Sequence, residues 1–126
     1  MRTGEIGAVR KIIYLTLLFS VAPLAARAQE GGQNYGLGVK SCAQFAKEYA
    51  VEPTLAENLY FAWAEGFLSG MNAESEAAHL PYKRIEGGDA AANTYRQAIR
   101  SYCDAHPLSS YSDAVISVFE ALPWVR

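Results

Sequence analysis

Residues 53–76 read PTLAENLYFAWAEGFLSGMNAESE, and the spacing of their apolar members makes the chain helical. Ala56, Leu59, Tyr60, Trp63, Phe67, Gly70 and Met71 fall within one stripe at 100° per residue, the pattern of an amphipathic α-helix. Thr54, with Glu57 three residues later, has the form of a capping box at its start. Asn58, Glu65, Asn72 and Glu76 lie on the other side, but so do Phe61 and Leu68. A helix apolar on two sides sits centrally in a bundle or is shared between subunits. Ala62, Gly66 and Gly70 add a line of small residues at spacing four. Glycine costs about 1 kcal/mol in a helix interior, so two of them point to a close approach or a local bend. Contact with another helix of the same chain is the plainer expectation. Approach of a partner is the other.

Helices are expected on both flanks. Ser41 and Gln44 form a capping-box pattern. Cys42, Phe45, Ala46 and Tyr49 then recur on one face, until Pro53 breaks the chain. Residues 79–88 read as a loop, with Pro81 and Gly87-Gly88 as breakers. Lys83 and Arg84 make a small basic spot there, expected to be solvated. Asp89 is expected to cap a third helix. Its inner face is Ala92, Tyr95, Ile99, Tyr102 and Cys103, and His106-Pro107 ends it. Ser110 and Asp113 open a fourth, with Tyr111, Val115, Val118, Phe119 and Leu122 inward and Pro123 after it. No stretch alternates as a strand does. The fold class is all-α, a small bundle of four to five helices.

The N-terminus carries an address. Arg10 and Lys11 precede an apolar run over residues 12–22, Pro23 ends it, and Ala26-Arg27-Ala28 supplies a small-residue cleavage site. Residues 1–28 are expected to be a cleaved secretory signal. The apolar run is short for a bilayer span and is followed by proline. Residues 29–38 hold four glycines and are expected to be a disordered leader; residues 39–126 form a single helical domain. Cleavage removes Arg2, Glu5, Arg10, Lys11 and Arg27. It leaves 98 residues with seven basic and twelve acidic side chains, a formal charge of −5. Such a surface repels phosphate backbones and gains nothing from anionic lipid, so neither nucleic acid nor membrane is an expected partner of the mature chain. The expected location is the periplasm or the medium.

Cys42 and Cys103 are the only cysteines. An oxidising compartment favours a disulfide between them. Closing so long a loop is worth about 4 kcal/mol in the chain-entropy account. With His79 and His106 remote and no Cys-x-x-Cys spacing, no zinc pattern exists. No cofactor fingerprint or phosphate loop is present either. Gly66-Phe67-Leu68-Ser69-Gly70 lacks the spacing of a nucleophile elbow and lies within a helix. No catalytic residue is assigned, and no enzyme activity is expected. Two groups are candidate pH sensors. Glu74 projects onto the apolar stripe and, if buried, would have a raised pKa. His106 sits at a helix C-terminus, where its charge would complement the dipole.

Two segments resemble known envelope proteins. Ser41-Cys42-Ala43-Gln44-Phe45 and the stretch centred on Tyr102-Cys103-Asp104-Ala105-His106-Pro107 resemble the two cysteine helices of the HdeA/HdeB periplasmic acid-stress proteins. That family typically has asparagine where this chain has His106. The resemblance implies an all-helical protein with one disulfide, a homodimer, and holding of unfolding clients in acid. The middle segment, Trp63-Ala64-Glu65-Gly66-Phe67-Leu68-Ser69-Gly70-Met71-Asn72, is instead similar to the aromatic-glycine helix of Tai-like amidase-immunity proteins. This second resemblance implies binding and inhibition of one peptidoglycan amidase. Those proteins often carry further cysteines, which this chain lacks. Both readings, and a third as a non-catalytic structural protein of the envelope, share one feature. They work by protein–protein contact, with unfolded clients or one specific enzyme as partner. The expected contact surface is Phe61, Trp63, Gly66, Phe67, Leu68 and Gly70 on the second helix.

Overall fold

A computed structural model describes residues 34–125, which lie in the unit Gly31–Arg126. The expected signal segment and the first residues of the leader lie outside the described residues. Four α-helices carry the fold: α1 (Cys42–Val51), α2 (Pro53–Ala77), α3 (Asp89–Ala105) and α4 (Tyr111–Ala121). A 3-10 turn (Gly36–Val39) precedes them, and a two-residue antiparallel ladder joins β1 (Tyr82–Lys83) to β2 (Trp124–Val125).

Two of the expected capping boxes form. Ser41 Oγ accepts from Gln44 N, and Gln44 Oε1 accepts from Ser41 N at 2.9 Å. Ser110 and Asp113 repeat the arrangement at α4, again at 2.9 Å for the return bond. The Thr54–Glu57 box does not form. Pro53 takes the first helical position, where its missing N–H costs nothing, and Glu52 is the cap residue without a side-chain bond. Glu57 is drawn instead to Arg100 of α3. Asp89 is not a cap either. Gly88, at φ +92°, fills that position and Asp89 is the first residue of α3, where its charge favours the helix dipole. Helix α2 ends in a left-handed cap at His79 (φ 56°), with Leu80 N donating to Ser75 O and His79 N to Glu76 O.

Cys42 and Cys103 are bonded and both buried. The bond ties the first residue of α1 to the last turn of α3. Beside it, Tyr111 N donates to Lys40 O, Cys42 N to Ser109 O and Ala43 N to Pro107 O. Four aromatic rings fill the space between α1, α2 and α4. Phe45 lies 4.8 Å from Tyr60 and 5.1 Å from Tyr111, Tyr60 lies 4.8 Å from Tyr111, and Trp63 meets Tyr111 edge-on. Tilted and edge-on pairs of this kind add to simple area burial. Burial raises the hydroxyl pKa of both Tyr60 and Tyr111.

Lys83 corrects the reading of residues 83–84 as a solvated pair. It is buried, its Nζ donates to Glu120 O (3.0 Å) and Leu122 O (2.8 Å), and it lies 3.9 Å from the centre of the Trp124 ring. The last carbonyls of a helix are orphaned acceptors at its negative end, so a cation there is well placed. Asn72 fastens the same loop to α2 through reciprocal bonds with the Lys83 backbone, 2.7 and 2.9 Å.

Candidate functional site

The contact residues expected on α2 divide into two sets. Phe61 and Leu68 are 2% and 1% exposed and belong to the core, which corrects their placement on a contact surface. Phe61 lies under the Arg96 guanidinium of α3 at 4.3 Å, a cation–π contact. Leu68 is in the buried cluster with Ile99. The helix is apolar on two sides because it is central: Tyr60 and Trp63 face α4, Phe61 faces α3.

Gly66 and Gly70 correct the other expectation. Neither has a neighbour within 4 Å of where a Cβ would stand, so among the described residues no helix packs on the small-residue line. Leu55, Leu59, Ala62, Gly66, Ser69 and Ala73 are all exposed. Their spacing is 4-3-4-3-4, the interval of a helix-pairing seam. This seam lies directly opposite the buried residues Ala56, Tyr60, Ala64 and Leu68. At its N-terminal end, Leu55 and Leu59 are 58% and 54% exposed and Val51 74%. With Ala56 they line a hollow of about 490 Å³ between α1 and α2, rimmed by Gln44, Lys47, Glu48 and Glu52. Glu48 on that rim accepts from Lys40 Nζ at 2.7 Å, and this bond holds its carboxyl below the ordinary glutamate value against the opposing effect of burial.

Trp63, Gly66 and Phe67 do come together. With Ala62, Asn34 and Tyr35 they line a second hollow of about 460 Å³. Trp63 stacks on Phe67, centroids 4.9 Å apart, and its Nε1–H donates to Tyr35 O at 3.0 Å. Across its other edge lies Gly38, which is buried. A Cβ at Gly38 would overlap Cζ2 and Cη2 of the indole. Residues 34–38 are therefore an ordered strap, not part of a disordered leader. Glycine at position 38 signals close approach to a ring, not disorder. The spacing of Gly36 and Gly38 just ahead of the Ser41 cap was the available signal.

Neither candidate pH sensor sits in a buried setting. Helix α2 continues to Ala77, and Glu74 is exposed on its last turns, beyond the buried residues. His106 is also exposed; its Nδ1 is 2.9 Å from Tyr102 O and its ring stacks on Tyr102 at 4.3 Å. Among the described residues, no group of three or more His, Cys, Asp or Glu is arranged to hold a metal ion, and no helix is long and apolar enough to cross a membrane. The Cys42–Cys103 bond is of the kind that persists in oxidising, extracytoplasmic surroundings.

Comparison of the chain with protein families, with curated proteins and with solved structures gave no match.

Proposed function

We propose that this is an exported, periplasmic, non-catalytic protein-binding domain that receives an apolar helical segment of another protein along the outward face of α2. One observation carries the reading: Leu55, Leu59, Ala62, Gly66, Ser69 and Ala73 stand exposed on a 25-residue helix whose opposite side is its core. Isolated exposed leucines are ordinary. A seam in helix-pairing register, with aliphatic residues at one end and small ones at the other, suits a laid-in helix. Holding unfolding envelope proteins, as in the HdeA/HdeB type, is the first form of this function. Blocking a single cell-wall amidase, as in the Tai-like type, is the second, and the disulfide-braced, preformed surface favours it.

A photo-crosslinking residue at Leu59 in the oxidised protein, exposed to envelope extract at neutral pH and near pH 3, tests both forms. Many acid-dependent partners support client holding. One stoichiometric enzyme at neutral pH supports inhibition. Capture equal to that of a Leu59→Glu control carrying the same crosslinker at Leu108 would remove the outward face from the function.

A further inference from the structure

The strap over Trp63 is bound as a ligand is bound. Downstream of it the chain is locked by main-chain bonds and sulfur: Lys40 O accepts from Tyr111 N at 2.8 Å, Ser41 bridges Ser110, and Cys42 is disulfide-bonded. Upstream, the Trp63 indole is a main point of contact with α2. Trp63 Nε1–H reaches the Tyr35 carbonyl, Gly36 lies against Cδ1 and Nε1, Gly38 lies against the six-membered ring, and Leu37 between them packs on the core. Gly36 also has φ +72°, where an L side chain is strained.

We propose that the Trp63 cleft is a receptor for polypeptide segments of the form Gly–aliphatic–Gly folded into a tight 3-10 turn, as Gly36–Val39 is, and that residues 34–39 are its built-in occupant. The recognition chemistry is general. A side-chain N–H donating to a main-chain carbonyl reads no side chain. One position without Cβ, that of Gly38, is required by the flat ring, and the position two residues earlier favours glycine through its backbone at φ +72°. One aliphatic residue between them is required by the core. A segment of another protein with the same features meets the same three demands. The hollow also extends past the strap along Ala62, Gly66 and Phe67, which leaves room for the residues ahead of such a motif. The occupant is held in cis at high effective concentration, so a rival must compete with it. This cleft shares Ala62 and Gly66 with the outward seam, but its readout is Trp63 and not Leu55 or Leu59.

The test uses the full mature chain with Trp124→Phe, which leaves Trp63 as the sole tryptophan, with and without Gly38→Val. Gly38→Val should expel the strap and shift Trp63 emission to the red. The synthetic peptide Asn-Tyr-Gly-Leu-Gly-Val-Lys should then reverse that shift saturably, at a concentration at least 10-fold lower than the strapped chain requires. The peptide with valine for its second glycine should not. A Gly38→Val protein of native helicity that ignores the peptide, or one that takes the valine peptide equally well, overturns the proposal. Should Gly38→Val fail to fold, hydrogen exchange at Trp63 Nε1 in the strapped chain decides. Exchange at least 10-fold faster than the slowest core amides supports a strap that opens locally. Exchange only at the global unfolding rate overturns it.

Discussion

The two faces of α2 have nearly the same hydropathy and opposite fates. The inward face, Ala56, Tyr60, Phe61, Ala64 and Leu68, is buried by the rest of the chain. The outward face, Leu55, Leu59, Ala62, Gly66, Ser69 and Ala73, is left to solvent. The difference lies in side-chain volume. Large rings and branched chains inside make many contacts. The outer face has two leucines at its N-terminal end and residues of little area after them, so leaving it bare costs the isolated domain little. Small size also makes that face approachable by another backbone.

Breaking the frame around both faces should have the largest effect. Replacing Cys42 and Cys103 together by alanine removes the link between α1 and α3, with an expected loss of about 3–4 kcal/mol in a urea titration. Retention of full stability would mean that the hydrogen bonds beside the bond suffice. Next is the inward face. Leu68→Ala should cost about 2–5 kcal/mol as a cavity at a 1% exposed site. The outward control, Leu59→Ala, should change stability by less than about 0.5 kcal/mol. If its cost instead approaches that of Leu68→Ala and grows with protein concentration, a second copy covers the seam, and the contrast between faces holds only for the monomer.

Acid should act more weakly, and on the rim of the outward hollow. Glu48 has its pKa lowered by Lys40. A carboxyl with a folded-state value below its unfolded one contributes stability that is present above the ordinary glutamate range and is lost as pH falls through the lowered value. Glu48→Gln should flatten the acid limb of stability between about pH 5 and 3, by less than a typical surface pair contributes at most, about 1 kcal/mol. An unchanged acid limb would show that Lys40 and Glu48 do not couple in solution.

Much of the fold was legible because it rests on local rules. Ser41–Gln44 and Ser110–Asp113 cap their helices through bonds spanning three residues, and periodicity marked Phe45, Tyr60, Ile99, Val115 and Phe119 as core. The failures have two causes. Asp89 and Thr54 lost the cap position to neighbours, Gly88 and the Glu52-Pro53 pair, whereas Glu57, Lys83 and Gly38 have roles set by residues far away in the chain: Arg100, the carbonyls of Glu120 and Leu122, and the ring of Trp63. The candidate site lay half in each category. Trp63, Gly66 and Phe67 were identified together, but Tyr35 and Leu55 were not, because exposure depends on which helix packs where.

Sequence alone determined an all-helical chain with one possible disulfide, since helical periodicity, caps and cysteine count need no tertiary information. Tertiary structure alone decided which apolar side of α2 is core, why Gly38 in the strap is needed, and which lysine is buried. Each of those depends on a contact between segments that the linear chain keeps dozens of residues apart.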